Sequence, residues 1–123
     1  MPTPPDIVLL AVEWQPRALI RAQLIEEGFD VVATDSWPMM RRHLGPGLKP
    51  RLAIVDLKGL PQPTDILGSL RVLMKPHQVL VLTAGGTVSV EAIESVGFRR
   101  LSRPFEIRDV VQKAAEAVRS PGS

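Results

Sequence analysis

Asp56 closes the apolar run Leu52-Ala53-Ile54-Val55, so a carboxylate sits where a buried strand should end. An open α/β sheet gathers its chemistry at the carboxyl ends of its strands. Other polar groups fall at similar points. Thr83 follows Val79-Leu80-Val81-Leu82, Arg103 follows a short segment at Arg100-Leu101, and Glu13 follows the run Ile7 to Val12. Two carboxylates could offer oxygen ligands to a hard cation such as Mg2+. A carboxylate, a hydroxyl and a fixed cation could also position and neutralise a phosphoryl group. Asp56 and Arg103 could instead satisfy each other as a two-pronged ion pair. The end of the first run, Ala11-Val12, can neither bind a metal nor move a proton.

These residues need strands to carry them, and the chain reads as five strand-then-helix units. Ile7 to Val12 is a continuous apolar run, as expected of a strand covered on both faces. Pro16 suits a helical first turn, Leu19, Ile20 and Leu24 share one side, and Gly28 supplies a left-handed stop. A second strand spans Phe29 to Ala33. Asp35 or Ser36 caps a helix from about Pro38 to the break at Gly45-Pro46-Gly47. The third strand is Leu52 to Val55, followed by the loop Lys58 to Pro63. Thr64 is the expected cap of a helix from Asp65 to Met74. The fourth strand, Val79 to Leu82, runs into Thr83-Ala84 and the loop Gly85-Gly86. A helix from about Val88 to Ser95 and a short strand near Arg100-Leu101 come next. In the last helix Ile107, Val110, Val111, Ala114 and Val118 form the clearest amphipathic stripe. Alternating strands and helices predict a parallel sheet with helices on both faces. For five strands the common order is 2-1-3-4-5.

The 123 residues are the size of one domain. We expect a tail at 1–5, a domain at 6–119, and a tail or linker start at 120–123. Hydrophobic residues at 45% against 23% charged ones describe a globular chain. A net charge of +2 is too small to argue for nucleic acid. Without cysteine there are no disulfides, thiolate metal sites or thiol nucleophiles. No apolar stretch has the length of a membrane span and the start is no signal peptide, so a cytoplasmic location is expected.

Asp56, Thr83-Ala84 and Arg103-Pro104-Phe105, each at its own strand end, resemble the response-regulator receiver domain of two-component signalling, of the chemotaxis-regulator kind. The resemblance covers roughly Asp6 to Arg119 and implies a flavodoxin-like fold. It implies that Asp56 stands at the phosphoacceptor position, fed by a histidine kinase, and that Thr83 contacts the phosphoryl oxygens. A basic residue before Pro104 pairs with the aspartate, and an aromatic residue three positions earlier swings inward to report activation. Two acidic residues after the first strand help to bind Mg2+.

The chain departs from that pattern. The acidic pair falls on Ala11 and Val12, leaving Glu13, one position further on, as a surrogate ligand beside Asp56. The lysine position is Arg103, a planar fork in place of a compact ammonium. The aromatic switch position is Arg100. The expectation is an atypical receiver, or pseudo-receiver: a non-enzymatic signalling module working by protein–protein contact, with Mg2+-dependent phosphorylation impaired and no other cofactor. Its partner would be a histidine kinase or another signalling protein. Homodimerisation through the last two units is the family's suggestion, and neither membrane nor direct nucleic-acid binding is expected. The alternative is a working phosphoreceiver with Asp56 as nucleophile, Glu13 as metal ligand, Thr83 as sensor and Arg103 as phosphate clamp. A flavin or cobalamin module fits less well, because Val12 to Arg17 lacks a run of Ser, Thr and Gly donors and no Asp-x-His-x-x-Gly occurs. Arg99, Arg100, Arg103 and Arg108 read either as a face for an acidic partner or as a solvated edge. Trp14 is expected to flank the site, or to lid it over Val12.

Overall fold

The computed structural model describes residues 3–86 and 88–119. The expected tail at 120–123 and the first two residues of the expected tail at 1–5 lie outside them. Five strands, β1 (Ile7–Leu10), β2 (Val31–Thr34), β3 (Leu52–Asp56), β4 (Val79–Thr83) and β5 (Arg99–Ser102), form one parallel sheet in the order β2-β1-β3-β4-β5. The helices are α1 (Trp14–Glu26), α2 (Trp37–Arg41), α3 (Pro63–Leu73), α4 (Val90–Val96) and α5 (Ile107–Arg119), with a 3-10 turn at Pro76–Gln78. This is the flavodoxin-like arrangement expected from the alternating pattern.

The apolar runs become strands because both faces are covered. β1, β3 and β4 are buried along their whole length, whereas every residue of the edge strand β5 is half-buried. Strand alternation divides the interior in two. Val8, Leu10, Val55 and Val81 pack with Met40, Leu70 and Ile93 on the side of α2, α3 and α4. Ile7, Leu9, Ile54 and Leu80 pack with Ile20, Leu24, Val110 and Ala114 on the side of α1 and α5. The register sets Leu10 beside Val55, Asp56 beside Leu82, and Thr83 beside Ser102. The ends of β1, β3, β4 and β5 therefore share one edge of the sheet.

Several boundaries differ from expectation. β1 stops at Leu10; Ala11 still donates to the Thr34 carbonyl, at 3.1 Å, before the chain turns into α1. α1 begins at Trp14, so Pro16 lies within its first turn. β2 begins at Val31 because Phe29 N–H bonds back to the Leu24 carbonyl, at 3.2 Å, closing α1 over Gly28 at φ +96. α2 is five residues long, and Ser36 precedes it without a side-chain cap. α3 starts before Thr64: Gln62, in the left-handed region, precedes Pro63, and no side chain caps this end. Ser89 caps α4, accepting from Ala92 N–H at 3.2 Å. Among the described residues, no helix is long and apolar enough to cross a membrane.

Candidate functional site

Asp56 is the last residue of β3, and its side chain is 3% exposed. A carboxylate this deep needs partners for both oxygens. Arg103 supplies them: Nη1 donates to Oδ1 and Nη2 to Oδ2, each at 2.7 Å. Lys58 N–H adds a third bond to Oδ1, at 3.0 Å. Such a two-pronged, charge-assisted contact is among the stronger polar interactions a protein makes.

The same guanidinium reaches further. Arg103 Nη1 also donates to the Thr83 carbonyl at 3.1 Å, and its carbon lies 4.8 Å from the centroid of the Phe105 ring. One side chain just after β5 thus ties the ends of β3 and β4 together while its face rests on an aromatic ring. Thr83 is buried at its strand end. Pro104 is exposed and joined to Arg103 by a cis peptide.

Glu13 occupies the N-cap position of α1 without capping it. Its Oε1 lies 3.0 Å from Lys58 Nζ, with both side chains about half exposed. The loop after β3 lies against the end of β1, since a Cβ on Gly59 would come within 3.8 Å of the Val12 side chain. The structure therefore brings Asp56, Thr83 and Arg103 into one bonded set. It places Glu13 across the loop, facing an ammonium.

Sequence reasoning missed Arg17. From the first part of α1 its Nη1 donates to the carbonyls of Ala11, at 2.9 Å, and Val12, at 3.1 Å. These are the first two backbone carbonyls past the end of β1. The one available signal was a cation seven residues beyond a strand end that carries no acid. Lys58 was also read only as part of a loop.

The candidate oxygen ligands for Mg2+ already face cations. A hard dication needs several oxygens free to face it. Here the Asp56 oxygens face a guanidinium, the Glu13 carboxylate faces an ammonium, and the Ala11 and Val12 carbonyls face Arg17. Among the described residues no cluster of three His, Cys, Asp or Glu is placed to hold a metal.

Arg100 holds Glu94 Oε1 through Nε and Nη2, at 3.1 and 2.6 Å, and Ser102 Oγ through Nη1, at 2.8 Å. The position where an aromatic switch was expected is thus an ion pair tying α4 to β5. Arg99 donates to the His77 carbonyl at 2.8 Å and Arg108 lies 2.8 Å from Glu106. Each arginine of the expected basic cluster therefore has its own internal partner. Trp14 is 70% exposed at the start of α1, which is too open for a lid.

No family profile and no curated protein sequence matches this chain. Solved structures do. The apo receiver domain of nitrogen regulatory protein C superposes with a TM-score of 0.80 at 16% identity, covering 97% of this chain and 98% of that one. A response regulator receiver domain protein from Clostridium thermocellum gives 0.74 at 22% identity, with 92% and 93% covered. A chain described as an adenylate cyclase from Rhodopirellula baltica gives 0.74 at 18% identity, with 92% and 86% covered. The chain has the receiver-domain fold.

Proposed function

We propose that this chain is an atypical receiver module that signals through protein–protein contact, with Mg2+-dependent phosphorylation of Asp56 impaired. The observation that carries this reading is that β1, paired with β3, runs out into Ala11 and Val12, which bear no carboxylate, while both Asp56 oxygens pair with Arg103. A phosphoacceptor must present an oxygen to the incoming phosphorus, in line with its leaving group, while cations neutralise the phosphoryl oxygens. Here both acceptor oxygens are committed to one guanidinium, and among the described residues no second carboxylate stands ready for a metal. The module is read as non-enzymatic and cytoplasmic, and its partner as a histidine kinase or another signalling protein. A homodimer through the β4–α4 and β5–α5 units is the self-associated form to seek by sedimentation.

The test is intact-mass measurement after incubation with acetyl phosphate and Mg2+, with Asp56→Asn as control. The expected result is no phosphoryl adduct on either protein. An adduct on the parent chain that Asp56→Asn lacks would establish the working phosphoreceiver instead, with Thr83 and Arg103 as its phosphate contacts.

A further inference from the structure

Between α3 and α4 lies a groove of about 190 Å3. Its floor is apolar, formed by the buried Leu67, Ile93 and Phe98. Ala92 and Val96 make the α4 wall, and Thr64, Gly68 and Arg71 make the α3 wall.

Gly68 makes this groove more than a packing gap. It lies inside α3, where glycine weakens a helix. It is not one of the positive-φ glycines, and a Cβ placed on it would meet nothing within 4 Å. Neither backbone conformation nor a close neighbour calls for glycine there. Its bare surface keeps the groove open. One turn further along the same helix Val72 is 84% exposed, which extends the apolar surface beyond the groove mouth.

Size and charge select the occupant. A volume of about 190 Å3 lies below the ~300 Å3 at which pockets begin to enclose a whole small ligand. It accommodates one or two side chains, as an interface anchor pocket does. Arg71 stands exposed on the lip and makes no ion pair among the described residues. We propose that this groove docks a segment of a partner protein presenting an aromatic or large aliphatic side chain beside a carboxylate. The anchor fills the space over Gly68 and Ala92, and the carboxylate meets Arg71. An amphipathic helix laid between α3 and α4 is the geometry that supplies both.

The inference rests on the reading of the chain as a protein-contact module, but not on the state of Asp56. Indole-3-propionate serves as the probe, since it joins an aromatic anchor to a carboxylate. Titrated into the 15N-labelled full chain, it should shift the amides of Leu67, Ala92 and Ile93 saturably. Gly68→Leu and Ala92→Leu fill the groove from opposite walls and should each abolish those shifts. Arg71→Gln should weaken binding several-fold, and uncharged 3-methylindole should bind several-fold more weakly than the acid. Absence of saturable shifts at these amides, or retained binding in both leucine variants, would overturn the proposal. Equal binding of 3-methylindole would overturn the acidic partner. A phosphoryl adduct on Asp56 would remove the reading of impaired phosphorylation without touching this titration.

Discussion

Arg103 holds both carboxylate oxygens of Asp56 at 2.7 Å, yet the two side chains differ in exposure, 26% for the arginine and 3% for the aspartate. That inequality decides what each deletion does. Arg103→Ala leaves a buried carboxylate with the Lys58 amide still donating. Removing one partner of a buried pair costs about 3–5 kcal/mol, and the remaining amide places this variant near the lower end. Asp56→Ala frees a guanidinium that can turn to water, so its loss should be smaller, about 1–2 kcal/mol. Urea unfolding of the two variants measures the difference, and the reverse ranking would contradict the geometry.

The second ion pair at this edge behaves differently. Lys58 and Glu13 are about half exposed, so water and salt screen them. Lys58→Ala should change stability by no more than about 0.5 kcal/mol. Its backbone N–H, which serves Asp56, survives the substitution. A loss comparable to that of Arg103→Ala would show that the ammonium supports the Asp56 edge.

What the sequence disclosed follows from the kind of signal involved. Strand burial is a property of consecutive residues, so Ile7 to Leu10, Leu52 to Val55 and Val79 to Leu82 declared themselves. The α5 stripe did the same at helical spacing. Helix starts were harder. Thr64 has the chemistry of a cap, but Pro63 with its fixed φ begins α3 two residues sooner than the expected start at Asp65, after a left-handed Gln62. The strand-end positions of Asp56, Thr83 and Arg103 were legible because each ends or follows a strand. Arg17 and Lys58 were not. Where a long, flexible cation lays its charge depends on which oxygens the fold leaves open, and those oxygens come from other segments.

Arg17 gives a prediction of its own. Its Nη1 is shared between the Ala11 and Val12 carbonyls, and Ala11 is fully buried. Arg17→Met keeps much of the apolar stem but removes the donor. The Ala11 carbonyl then loses its side-chain donor, and the expected cost is about 1–2 kcal/mol. Amide exchange should quicken at Ala11, whose N–H bonds to Thr34, more than at Ile54 in β3, the central strand of the sheet. Uniform quickening would mean that Arg17 acts on global stability alone.

Two glycines separate backbone effects from packing. A Cβ on Gly28 or on Gly68 would meet no atom within 4 Å. Only the backbone differs: Gly28 has φ +96 at the end of α1, whereas Gly68 lies within α3 and is not among the positive-φ residues. Alanine at Gly68 gains helix propensity and restricts the unfolded chain, so Gly68→Ala should stabilise by about 0.5–1 kcal/mol. Alanine at Gly28 must enter a left-handed conformation that L side chains resist, so Gly28→Ala should destabilise by about 1–2 kcal/mol. Thermal unfolding of the pair should therefore move in opposite directions. A fall in stability for Gly68→Ala would mean that the groove is narrower in solution than in this structure, because added volume there would then meet a wall.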